Sequence, residues 1–211
     1  MTIKSRIFSI FAALSLGTVG ALAATSVNPP APPSSTVTGA YPVLIASSTM
    51  TRPANTTTYT ANTAVCATTS VTPCVPMTVS LATTSGGKGL INRVLLLKSG
   101  PTSLYASFNI YFYSTATPTT AAIFDNTAYA GPFKADIPYY LGSAGCLSPN
   151  LTTDSSAGVW YECTLSNPNT GGVLEFQAAA GSTNITAVIQ ILGAYVPASG
   201  ETFTFYVGGM Y

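Results

Sequence analysis

From Leu104 to Tyr113 the chain alternates without a break. Leu104, Ala106, Phe108, Ile110 and Phe112 share one parity; Tyr105, Ser107, Asn109, Tyr111 and Tyr113 share the other. A period of two puts each set on its own face of a β-strand. The first set predicts a core face, the second a tyrosine-lined face left partly wet. Thr202 to Val207 alternates in the same way. Gly89 to Lys98 and Ile185 to Leu192 are instead apolar runs rich in branched residues, the pattern of central strands. Tyr41 to Ala46, Met77 to Leu81, Val159 to Leu165 and Val173 to Phe176 predict shorter strands. Between them lie turn signals: Ser85-Gly86-Gly87, Ser99-Gly100-Pro101, Asn167-Pro168-Asn169, Gly171-Gly172 and Ala198-Ser199-Gly200. No amphipathic helix pattern follows the N-terminal segment. About eight to ten short strands punctuated by turns predict an all-β domain, a single antiparallel β-sandwich of jelly-roll type, with an open barrel as the alternative. No fixed-period repeat suggests a solenoid or a propeller.

Residues 1–23 have the three-part pattern of a secretory signal. Lys4 and Arg6 precede an apolar run from Ile7 to Leu22, and Ala21-Leu22-Ala23 supplies small residues for cleavage. The rival is an uncleaved hydrophobic anchor; the run is near the lower limit of a membrane span and is interrupted by Gly17 and Gly20. Cleavage would leave no membrane-inserted segment. Residues 24–40 form a Pro/Ser-rich linker, in which Pro29, Pro30, Pro32 and Pro33 favour extended backbone. The folded domain is expected over 41–211.

Composition narrows the function. Only 6% of the 211 residues are charged, while 47% are hydrophobic. With Lys4 and Arg6 set aside, five basic residues face six acidic ones, so no electrostatic footprint for nucleic acid is present. A surface this poor in charge lacks the repulsion that keeps copies apart, and suits packing against itself or other structural proteins.

Cys66, Cys74, Cys146 and Cys163 are an even set in a chain with an export pattern, which predicts two disulfides. Of the three pairings available, Cys66 with Cys74 and Cys146 with Cys163 is the simplest. The spacings are too wide for a zinc site, and the chain has no histidine to complete one. The missing histidine also removes the commonest general base and the usual partner of a serine or cysteine nucleophile. Six carboxylates remain: Asp125, Asp136, Asp154, Glu162, Glu175 and Glu201. Nothing in their spacing selects a glycosidase pair. Asp125-Asn126 could contribute to a calcium loop, but no run of alternating acids supports it. Gly86-Gly87-Lys88-Gly89 lacks the spacing of a phosphate loop and reads as a turn into a strand. Trp160, close to Cys163, is expected in the core, with a sugar platform as the alternative. Asn55, Asn150 and Asn184 begin N-glycosylation triplets, which matter only in a glycosylating host. No catalytic residue, cofactor or metal is expected.

Several short blocks follow one another along the chain: Thr51-Arg52-Pro53-Ala54-Asn55-Thr56-Thr57-Thr58-Tyr59, Gly86-Gly87-Lys88-Gly89-Leu90-Ile91, Phe108-Asn109-Ile110-Tyr111-Phe112, Asp125-Asn126-Thr127-Ala128-Tyr129 and Tyr140-Leu141-Gly142. The last is Leu192-Gly193-Ala194-Tyr195-Val196-Pro197-Ala198-Ser199-Gly200-Glu201, leading into Phe203-Thr204-Phe205. Their order resembles a family of small virion-associated proteins of tailed bacteriophages. The resemblance implies an accessory structural protein, a capsid decoration or tail component, without catalytic residues. The export signal and the paired cysteines depart from that family's pattern. They point to the alternative, a secreted bacterial surface or adhesive protein stapled by disulfides. The expected partners are copies of the chain in a homo-oligomer and other structural proteins. A carbohydrate-binding module is a further alternative that no residue pattern supports.

Overall fold

The computed structural model describes residues 44–68, 72–100, 106–114, 123–147, 151–153, 158–167 and 172–210. The expected signal and linker, Asn150 and Asp154 lie outside the described residues. Eleven strands follow in order: β1 (Leu44–Thr51), β2 (Thr63–Val65), β3 (Met77–Ser80), β4 (Lys88–Lys98), β5 (Phe108–Tyr113), β6 (Tyr140–Cys146), β7 (Leu151–Thr153), β8 (Val159–Ser166), β9 (Leu174–Gln177), β10 (Asn184–Ile191) and β11 (Thr202–Met210). The one helical turn among the described residues is the 3-10 segment Ile137–Tyr139. The domain is all-β and every ladder is antiparallel, as the alternation predicts.

The strands form one sheet in the order β1-β11-β4-β8-β6-β5-β10-β2. In addition, β3 pairs with β10, β7 with β8 and β9 with β4. Between the expected jelly-roll-type sandwich and its open-barrel alternative, the strands form a single sheet that curls on itself as a half-barrel. The reason is β8. Its first part, Val159 to Cys163, pairs with β4, and its last part, Thr164 to Ser166, pairs with β6. One strand thus serves both halves.

The inward side chains of the two halves meet in the core. Phe108 lies edge-on to Phe203, with ring centroids 5.4 Å apart, and Phe112 edge-on to Phe205 at 6.3 Å. All four are fully buried, with Ile110, Val94, Leu96, Tyr161, Ile185, Ile189 and Val207 around them. Alternation breaks once in β4. Ile91 and Val94 both face inward, whereas Asn92 and Arg93 are exposed. The β11 register shifts here between Gly208 and Gly209, the signature of a β-bulge that resets the strand's phase.

The second face of β5 departs from expectation. Tyr111 and Tyr113 are buried, in a smaller apolar cluster with Ala64, Cys66, Ile123, Tyr129 and Val188. The segment after residue 123 covers them, held by the Tyr111–Tyr129 edge contact at 5.5 Å and the hydroxyl bond between Tyr113 and Tyr129. Rings need a dry surface for most of their area; these two find it beneath a loop.

Candidate functional site

Both expected disulfides are present: Cys66 bonds Cys74 and Cys146 bonds Cys163. The first closes a short loop beside β2. The second joins β6 to β8, continuing the register that pairs Gly145 with Thr164.

A cluster of charged groups lies inside the fold, and the sequence reading did not identify it. Lys98 ends β4 on its inward parity, after Val94 and Leu96, and is fully buried. Its ammonium donates to the Glu201 carboxylate at 2.7 Å and to the Gly100 carbonyl, and lies 5.5 Å from the centre of the Tyr195 ring. Both side chains of this pair are fully shielded from solvent. Burial pushes the Lys98 amine down and the Glu201 carboxyl up from their ordinary values, each toward its neutral form; their attraction works against both shifts.

Arg52 forms the second part of the cluster. Its Nε donates to the Tyr59 hydroxyl at 2.6 Å, and the guanidinium lies 4.6 Å from the centre of that ring. The Tyr59 hydroxyl donates to Asp125, whose Oδ1 also accepts the Cys66 amide at 2.9 Å. Arg52 stands 3.8 Å from the other Asp125 oxygen. Desolvation, chiefly, pushes the Tyr59 hydroxyl far above the ordinary phenol range. Tyr195 stacks on Tyr59 with centroids 5.9 Å apart and thereby links the two parts. The Arg52 amide donates to the Glu201 carbonyl at 2.9 Å.

These contacts settle the roles of two expected candidates. Asp125 is 4% exposed and turned into the protein, where it holds Tyr59, Arg52 and the Cys66 amide. Asn126 points instead to the loop ahead of β2, donating to the Thr58 carbonyl at 3.0 Å. The pair therefore fixes loops rather than converging on a common ion position. Among the described residues no three His, Cys, Asp or Glu side chains come together as a metal set. Asp136 is buried near Tyr113 and Tyr129, and Glu162 is exposed, 3.5 Å from Arg93.

Trp160 is not in the core. Val159, Tyr161 and Cys163 face inward, so the period of two turns Trp160 outward. There it stacks on Tyr206 of β11, with centroids 5.7 Å apart and planes 21° from parallel. Leu97 lies opposite Trp160 in the ladder and Leu95 opposite Tyr206. These four side chains are only partly buried. They form an apolar stripe on the outer face of the β11-β4-β8 half. Arg93 and Glu162 lie on the same face, and Ile45, 69% exposed, lies opposite Gly208 at its border. The alternation of β8 could have revealed this face, because it assigns Trp160 and Glu162 to one side.

Asn55 is half-buried, accepting from Arg52 at 3.4 Å and from the Thr57 amide at 3.2 Å. Asn184 begins β10 and pairs with Ser80. No helix among the described residues is long and apolar enough to cross a membrane. The two disulfides fit an oxidising, extracellular environment. Neither a known protein family nor a curated protein matches the chain.

Proposed function

We propose that this chain is a non-enzymatic structural protein that works by packing its outer sheet face against other proteins, as a decoration or tail component of a phage particle. The observation that carries the reading is the stripe of Leu95, Leu97, Trp160 and Tyr206 on the outer sheet face, bordered by the exposed Arg93–Glu162 pair. Half-exposed aromatic residues with apolar neighbours are what protein interfaces enrich. Strand order adds support by analogy of fold. One half runs β1-β11-β4-β8 and the other β3-β10-β5-β6, interleaving the two ends of the chain. That order is jelly-roll-like, and jelly rolls recur in capsid proteins and also in lectins.

The disulfides favour a second location for the same kind of work, the outside of a bacterial cell, where the protein would act as a durable surface or adhesive component.

Mass spectrometry of purified particles and of secreted protein from the source culture tests both. Stoichiometric recovery from DNA-containing particles is the expected result. Recovery only as a free extracellular chain would replace the virion role with the surface role. Saturable binding to a glycan panel, lost on Trp160→Ala, would replace assembly with carbohydrate binding.

A further inference from the structure

We infer that Lys98 and Glu201 are the two ends of an intramolecular amide cross-link, formed between the lysine Nζ and the glutamate Cδ once the domain has folded. The inference does not rest on the assembly reading, because both partners belong to one chain and lie within its core.

The geometry comes first. Nζ stands 2.7 Å from Glu201 Oε1, and both side chains are fully shielded from water. Fixing amine and carboxyl in contact makes their encounter intramolecular, which raises the effective concentration of each by many orders of magnitude. Gly100 holds both partners. Its carbonyl accepts from Nζ, and its backbone N–H faces the Glu201 carboxylate. A side chain at this position would collide with Oε1, so the glycine is what lets the carboxylate come so close.

Condensation needs a neutral amine with a free lone pair and a protonated carboxyl; burial drives both groups that way, against the attraction of the pair. The amine lone pair attacks Cδ; the Nζ–Cδ bond forms. A proton passes from nitrogen to the departing carboxyl oxygen, the Cδ–O bond breaks, and one water leaves. Nothing is oxidised or reduced. Negative charge gathers on the carboxyl oxygen during attack. The Arg52 guanidinium, whose charge already acts on Glu201, would stabilise it. The Tyr161 hydroxyl, unpartnered among the described residues, feels the charge of Glu201 as well. The aromatic wall of Tyr195, Tyr161 and Phe108 keeps bulk water from reversing the step.

The product would bind the end of β4 to the start of β11 across a sequence separation of 103 residues, closing a loop that contains β5 to β10.

Peptide mapping of the folded, purified chain tests this directly. After reduction of the disulfides, the intact mass is expected to fall short of the sequence mass by one water. Trypsin should fail to cut after Lys98, and a branched peptide should join Lys98 to Glu201. Lys98→Met is expected to restore the missing water and to give only linear peptides. An intact mass that retains the water, with normal tryptic cleavage after Lys98, would overturn the proposal. So would a loss of water confined to linear peptides. Absence of the chain from particles would leave the result unaffected.

Discussion

Cys146 and Cys163 stand opposite one another where β8 leaves β6 for β4. Their disulfide therefore pins the two halves of the curled sheet at the strand they share. Each disulfide also closes a loop in the unfolded chain, across a sequence separation of 17 here and of 8 at Cys66–Cys74. Replacing Cys146 and Cys163 together by alanine is expected to cost about 3 kcal/mol, and the same change at Cys66 and Cys74 slightly less. Urea unfolding reads both as lower midpoints. Midpoints equal to that of the oxidised parent would refute the stabilising role.

The hydroxyls of Tyr113 and Tyr129 are bonded to each other inside the smaller cluster, away from solvent. Tyr113→Phe strands the Tyr129 hydroxyl without a partner, a loss of about 1–3 kcal/mol. Replacing both tyrosines by phenylalanine removes the stranded group as well, so the double variant should be more stable than the single. A double variant that loses the sum of the two single effects would show the hydroxyls to be independent.

Four buried phenols set the alkaline limit of the fold. Desolvation, chiefly, pushes Tyr59, Tyr113, Tyr129 and Tyr161 far above the ordinary value of about 10. Above that pH the unfolded chain releases these protons and the folded chain keeps them, so stability falls as pH rises. Below it the contribution is fully present. Melting temperature should therefore decline from about pH 10 upward. Phenolate absorbance for this group should appear together with unfolding. Smooth titration of every tyrosine in the folded protein would contradict their burial.

Trp160 contributes to a surface more than to the interior. Its neighbours in β8 face the core, whereas Trp160 rests on Tyr206 outside. Trp160→Ala should shift the melting temperature little and reduce self-association or partner capture in sedimentation experiments. A large loss of stability with association intact would make the stack a structural element only.

Much of the sheet was legible because its strands obey simple periods. β4, β5, β8, β10 and β11 are rich in branched or aromatic residues. β6 was hidden for a physical reason. Its run Tyr140-Leu141-Gly142-Ser143-Ala144-Gly145-Cys146 is too small and flexible to read as a strand. Gly142 adopts a φ of +138°, and a Cβ there would lie 2.6 Å from Leu174 Cδ2, so the small residue is dictated by close packing. β2 and β7 have three residues each, too few to show a period. The disulfide pairing followed from nearness in sequence. The charged cluster did not, because Arg52 and Asp125 lie in loops whose meeting depends on the finished fold. Lys98 alone carried a signal, since it shares the parity of Val94 and Leu96.

The pairing of β1 with β11 sets Leu44 beside Gly209. The start of the first strand and the end of the last therefore lie side by side. The same geometry makes the chain order interchangeable. A short bridge from the last strand to the first, with new ends opened at the exposed turn of Ala180 and Gly181, would preserve every ladder of the sheet.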